Sequence, residues 1–203
     1  MIVSKLFPVS LGVFCILLAT GCPRPPLRMV HDQGNRTMLG WYSELNPVAD
    51  NTWGQQTGDD FVLSAGNNVI TQIRWWGAYR DDIPVGDDFT FRIYDDTGAL
   101  APSTTVAAEH HAGAVNRTLT EDIVYCSGDV LNVYAYTCTI PATTFEPGRR
   151  YFLVILNDTG KWMWTLCEIS EAGNELCIRR NTTSSAWAAY GTDAAFQLWT
   201  NRR

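Results

Sequence analysis

Between Phe89 and Tyr94 the chain alternates, with Phe89, Phe91 and Ile93 separated by Thr90 and Arg92. A period of two sends successive side chains to opposite faces of an extended strand, so this stretch reads as half-buried β-structure. In the chain that follows residue 38, apolar residues never recur at three and four over a long window, and no amphipathic helix is expected there. Short apolar runs lie instead between clusters of Gly, Asn, Asp and Pro. Strands are expected at Asp60–Leu63, Val69–Tyr79, Leu131–Ile140, Tyr151–Leu156, Ser185–Tyr190 and Ala194–Thr200. Turns are expected at Ala65-Gly66-Asn67-Asn68, Asp95-Asp96-Thr97-Gly98, Pro147-Gly148 and Asn157-Asp158-Thr159-Gly160. Tyr151–Leu156 is apolar on both faces and reads as a central strand. Glu168–Leu176 reads as a hairpin tip, and Thr104–Val124 is too polar for its strands to be delimited. About eight to ten short strands imply an all-β fold, an antiparallel β-sandwich of jelly-roll-like form.

Several strings carry a resemblance: Asp59-Asp60-Phe61, Ile73 to Tyr79, Asp87 to Asp96, Tyr151 to Trp164, and Ala195 to Leu198. Together they resemble a recurrent group of extracellular bacterial β-sandwich modules, mostly of unestablished function. The resemblance implies the fold and says little about activity.

The N-terminus points to a compartment. Lys5 precedes an apolar stretch, Leu6–Leu18, that is too short to span a bilayer comfortably, and small residues follow. Leu18-Ala19-Thr20-Gly21-Cys22 resembles the lipobox of bacterial lipoproteins, with Ala19 where the family usually has a larger aliphatic residue. The resemblance implies cleavage before Cys22 and acylation of that cysteine, which would anchor the chain durably in a membrane. It places the protein in the cell envelope. Pro23 stands where Asp marks inner-membrane retention in the diderm family, so the outer membrane is implied if the organism has one. Residues 1–21 are then the signal, 22–38 a Pro-rich flexible tether opening on Pro23-Arg24-Pro25-Pro26, and 39–203 the sandwich domain. Losing the signal removes one base, Lys5, and no acid, taking the formal charge from −6 to −7. That balance argues against nucleic acid as a partner.

Once Cys15 leaves with the signal and Cys22 is lipidated, Cys126, Cys138, Cys167 and Cys177 remain. An even number in an exported chain suggests two disulfides with three possible connectivities, and the local pairs Cys126–Cys138 and Cys167–Cys177 are the expected ones. Zinc is set aside because paired Cys-x-x-Cys spacing is absent.

Eight tryptophans are the main anomaly. Trp75 and Trp76 are neighbours on a strand, so one should face the core and the other the outside. Arg74 shares the outer side with Trp76, and Trp199 and Gln197 should point away from Phe196 and Leu198. An outward indole beside an arginine or amide can stack on a sugar face while its neighbour hydrogen-bonds. Trp76, Arg74, Trp162 and Trp164 are therefore the candidate ligand platform, with polysaccharide the expected ligand class. The alternative is a structural or protein-interaction envelope protein whose aromatics all serve the core. Acidic doublets, Asp95-Asp96 foremost, raise a structural calcium ion, against the plainer reading of turn formation. No catalytic residue is singled out. His31 falls in the tether, and His110 and His111 are adjacent and point apart on a strand. No nucleophile elbow, phosphate loop or His-Glu-x-x-His is present, and a carboxylate pair of the kind a carbohydrate-active enzyme needs cannot be picked from 21 acids.

Overall fold

The computed structural model describes residues 26–33, 36–43, 55–80, 86–126, 128–157, 162–167, 176–181 and 186–201. The expected signal, Cys22, most of the expected turn Asn157–Gly160, residues 168–175 of the expected hairpin tip and the doublet Asp81-Asp82 lie outside them. The described residues form strands and turns only. In chain order the strands are β1 (Leu27–Asp32), β2 (Arg36–Tyr42), β3 (Gln56–Val62), β4 (Val69–Tyr79), β5 (Phe89–Asp96), β6 (Pro102–His111), β7 (Val115–Cys126), β8 (Asp129–Thr144), β9 (Arg150–Asn157), β10 (Trp162–Cys167), β11 (Cys177–Arg180), β12 (Ala188–Tyr190), β13 (Asp193–Ala194) and β14 (Phe196–Asn201).

They make two antiparallel sheets. The smaller runs β12-β11-β3-β9-β5-β6. The larger runs β1-β14-β4-β10-β13, with β8 on the other flank of β4, β7 beyond β8, and β2 beside β10. One flank of β4 is shared: β14 pairs with Gln72–Trp75 and β10 with Gly77–Tyr79. Neighbouring strands are mostly distant in sequence, so the chain crosses repeatedly between the sheets of a β-sandwich.

Alternation decides what lies between the sheets. Ile73 and Trp75 of β4, Tyr136 and Cys138 of β8, and Trp162 and Trp164 of β10 meet Phe61, Phe89, Phe91, Leu153 and Ile155 from the smaller sheet. Trp75 lies edge-on to Phe89 and Phe91, 5.1 Å from each, and stacks on Tyr136 at 5.4 Å. Each such pair adds ~0.5–1.5 kcal/mol beyond the area it buries. The Trp162 indole lies flat against the backbone at Gly77, where a methyl group would fall inside contact distance of the ring. Only glycine permits that approach.

Both outer faces also carry apolar clusters. On the larger sheet, Trp76, Ala78, Met163 and Cys167 meet Leu131, Val133 and Ala135 of β8 and Val124 of β7. The long β7–β8 hairpin curls back to make this second core, bringing Val124 to β2, where a Cβ on Gly40 would lie 3.5 Å from Val124 Cγ2. On the smaller sheet, Tyr94, Phe152, Val154, Leu156 and Ile178 are covered by Leu176 and, at the edge, Trp187.

The sequence placed several elements correctly. The strand Val69–Tyr79 has the expected ends, Tyr151–Leu156 lies within the central, doubly buried β9, and Phe196 and Leu198 point inward while Gln197 and Trp199 point out. Four expectations need correction. First, Leu27–Asp32 and Arg36–Tyr42 are strands β1 and β2, so the sheet begins inside the segment expected to be a flexible tether over 22–38. His31 is accordingly a sheet residue. Second, β3 starts at Gln56 rather than Asp60 and buries Asp59 and Asp60. Third, β5 is covered on both faces rather than half-buried, because Tyr94 lies under Trp187. Fourth, neither expected disulfide, Cys126–Cys138 or Cys167–Cys177, is formed, and Cys138, Cys167 and Cys177 are free thiols. Cys126 pairs with Asp129 at one end of the β7–β8 hairpin and Cys138 lies nine residues along β8, roughly 30 Å away at ~3.3 Å per residue. A disulfide needs Cα atoms within ~7 Å. Cys167 packs in the outer cluster of the larger sheet, whereas Cys177 packs between the sheets.

Candidate functional site

The outer face of the larger sheet divides into two halves. The curled hairpin seals the half beside β10. The half formed by β1, β14, β4 and β8 is left uncovered by that hairpin, and its residues follow from strand register, since cross-strand partners share a face. One row reads Met29, Trp199, Gln72, Thr139 across four strands. The next reads Asp32, Gln197, Arg74, Thr137 and continues to Asn116 on β7. At ~4.8 Å between strands each row is roughly 15–20 Å long. Most of these side chains are half-buried, and Met29, Asn116 and Thr139 are exposed.

The chemistry of the two rows is mixed. Arg74 lays its guanidinium over the Trp76 ring, 4.9 Å from the centroid, a cation–π contact that roofs the outer cluster. The Gln197 amide donates to Asp32 Oδ1 at 3.2 Å. Three polar atoms on this face are shielded from solvent and have no hydrogen-bond partner among the described residues: Arg74 Nε, Gln197 Oε1 and Trp199 Nε1. Two are donors and one an acceptor. An unmade hydrogen bond at such a group costs ~1–3 kcal/mol.

Of the residues expected to form a platform, only Arg74 stands on this face as anticipated. Trp76 does point outward but is 6% exposed, and Trp162 and Trp164 are fully buried between the sheets. All three are corrections to the expected surface aromatics. The indole available to the face is that of Trp199.

Other polar groups have structural partners. Asp95 pairs with Arg149 at 3.1 Å; Asp96 lies 3.8 Å from Arg150 and accepts the Gly98 amide at 2.9 Å. Arginines and a turn thus occupy the carboxylates considered for calcium, and among the described residues no three His, Cys, Asp or Glu gather as a metal site would need. His110 and His111 do diverge, to Thr143 and Thr90 respectively. Arg179 stacks against Trp41 and Tyr190, 5.0 and 4.6 Å from their centroids, and donates to the Tyr190 hydroxyl, which closes that aromatic cluster on itself.

Sequence reasoning missed a buried acid network. Asp59 points between the sheets, accepts the Ala194 amide across the gap and takes the Asp60 amide at 2.7 Å. Asp193 answers from the larger sheet, taking the Leu176 amide at 3.2 Å and the Gln33 side chain at 3.3 Å. Burial pushes the Asp59 carboxyl well above the usual carboxylate range, and the neighbouring Asp193 adds to it. His31, bonded to Gln33 at 2.7 Å and stacked on Phe196 at 5.2 Å, is held below its ordinary value by the same burial. The acids are sealed inside the sandwich, so they do not face each other across a cleft as glycosidase carboxylates must.

No family model, curated protein or solved structure matches this chain. The reading of its function therefore rests on its own residues.

Proposed function

We propose that the protein is a lipid-anchored component of the bacterial cell envelope whose β-sandwich is a non-catalytic binding module for polysaccharide. The observation that supports this most is the uncovered half of the larger sheet's outer face, where Trp199, Gln197, Arg74 and Gln72 stand in two rows. The indole supplies an apolar plane, and the amides, hydroxyls and guanidinium supply hydrogen bonds fixed by the strands. The anchor part of the proposal rests on the lipobox-like Leu18–Cys22.

The test is a titration of the full chain with glycans and cell-wall polymers, read by tryptophan fluorescence. A saturable shift lost in Trp199→Ala, with the melting temperature kept, supports the reading. No response across a broad panel overturns it. Replacing Cys22 by Ser should move the protein from the membrane fraction to the soluble one, and unchanged membrane retention would refute the anchor. A second reading, a structural or protein-interaction envelope protein, draws on the burial of Trp76, Trp162 and Trp164. Failure of the glycan panel would favour it.

A further inference from the structure

One end of the sandwich is assembled from both sheets. In the larger sheet Leu27 pairs with Asn201 there, and Val69 with Thr144. In the smaller, Val62 pairs with Arg150 and Asp96 with Pro102. The connections of residues 63–68 and 145–149 join the sheets at this end and are bonded together. Phe145 N–H donates to Asn68 O and Gly148 N–H to Leu63 O, both at 2.8 Å. Cys22 stands five residues before Leu27, a span shorter than the eleven-residue β4, which is roughly 36 Å long at ~3.3 Å per residue. A lipid on Cys22 would hold this end nearest the bilayer.

The chemistry of this end suits a lipid surface. Leu27, Val62 and Leu100 are 43%, 44% and 50% exposed. Leu100 lies in the turn between β5 and β6, which is closed by Thr97 N–H to Ala101 O at 3.0 Å. Its φ of 56° makes it the one non-glycine with a left-handed backbone among the described residues, a conformation that disfavours leucine. Residues 97–108 carry no charge. The acids beside that turn are neutralised: Asp95 and Glu146 share Arg149 at 3.1 and 3.3 Å, and Asp96 lies 3.8 Å from Arg150. Among the described residues the exposed acids without an arginine are Asp88, Glu121 and Asp129. All three lie away from this end. Asp88 precedes Phe89, which pairs with the last residue of β9, and the other two are on the β7–β8 hairpin beyond Tyr134, the partner of Gly77. Anionic headgroups would repel such acids.

We propose that this end of the sandwich rests on the bilayer that holds its own anchor, with Leu100 as an apolar tip entering the headgroup region. The inference rests on the lipid-anchor reading above and adds to it a docked orientation. The strands then stand on end, and the rows around Trp199 face sideways, clear of the lipid.

The experiment measures backbone hydrogen exchange. It compares the acylated full chain on vesicles of phosphatidylethanolamine and phosphatidylglycerol with the Cys22→Ser chain free in solution. Amides of residues 97–101 should exchange about tenfold more slowly on the vesicles, and those of the β7–β8 hairpin at an unchanged rate. Leu100→Asp should stay in the vesicle fraction, since Cys22 holds it there, and should lose the slowing. Its melting temperature in solution should not fall, because Asp adopts the left-handed backbone more readily than Leu. Unchanged exchange at 97–101 on the vesicles overturns the docking and leaves the anchor standing. Equal slowing at the hairpin overturns the choice of this end, and slowing that persists in Leu100→Asp overturns the role of Leu100. A chain that does not sediment with the vesicles overturns anchor and docking together.

Discussion

The outer faces of the two sheets solve the same problem in opposite ways. The smaller sheet covers its central apolar residues: Tyr94, Phe152, Val154 and Ile178 lie under Leu176 and Trp187. Around it, Arg92 pairs with Glu109 at 2.6 Å, and Arg150 with the buried Asp60 at 2.9 Å. The larger sheet is sealed over only half its breadth, by the curl of β7–β8. Its other half carries Trp199, Gln197, Arg74 and Gln72 without that cover. A face closed by apolar cover and ion pairs serves stability, whereas an open one leaves room for a ligand.

Substitutions can break that contrast. The largest effect is expected from Phe152→Ala, which opens a cavity under the cover of the smaller sheet and should cost about 3–5 kcal/mol in urea denaturation. A loss below about 1 kcal/mol would mean that this face is not sealed. Next come two arginines. Arg150→Met strands the carboxylate of Asp60, which is 4% exposed, and should cost about 2 kcal/mol. Arg28→Gln, with no carboxylate to strand, should change stability by less than about 0.5 kcal/mol. A loss above about 1 kcal/mol in Arg28→Gln would mean that this exposed guanidinium is held by the fold after all.

The shallowest effect lies at the seam between the sheets. Asp59 is raised above 3.8 in the folded chain, so its contribution is fully present below about pH 4 and is lost as pH climbs toward the folded value. His31 is lowered from 6.5, so its contribution is present above about pH 6.5 and is lost as pH falls below that. Between these values the two oppose each other. Between about pH 4 and 6.5, Asp59→Asn should remove the falling component and leave a steeper rise of melting temperature with pH. The same slope in the variant would assign it to another group.

What the sequence disclosed depended on whether alternation alone fixes an element. The strand Val69–Tyr79 was readable to its ends because apolar residues alternate along it and a turn precedes it. β3 was not, since Gln56-Thr57-Gly58-Asp59-Asp60 looks like loop chemistry. The acids are tolerated because amides from both sheets satisfy Asp59 and an arginine satisfies Asp60. β1 was obscured by the prolines before it, although its place beside β14 depends on partners more than 160 residues away. The opposite facing of Trp75 and Trp76 was legible from their adjacency. The roof over Trp76 was not, because the curl of β7–β8 is tertiary. Trp199, Gln197 and Arg74 could be assigned to an outward side from local pattern, whereas their gathering into rows required the register of four strands.

The placement of β1 bears on where such a module can act. If Cys22 carries the lipid, only five residue steps separate the anchor from Leu27, the first residue in the sheet. That span cannot exceed about 18 Å, against about 60 Å for a leash running to residue 39. A domain moored so tightly samples a thin layer above the bilayer at a high local concentration. It would meet polymers lying against the membrane far more often than those deeper in the wall.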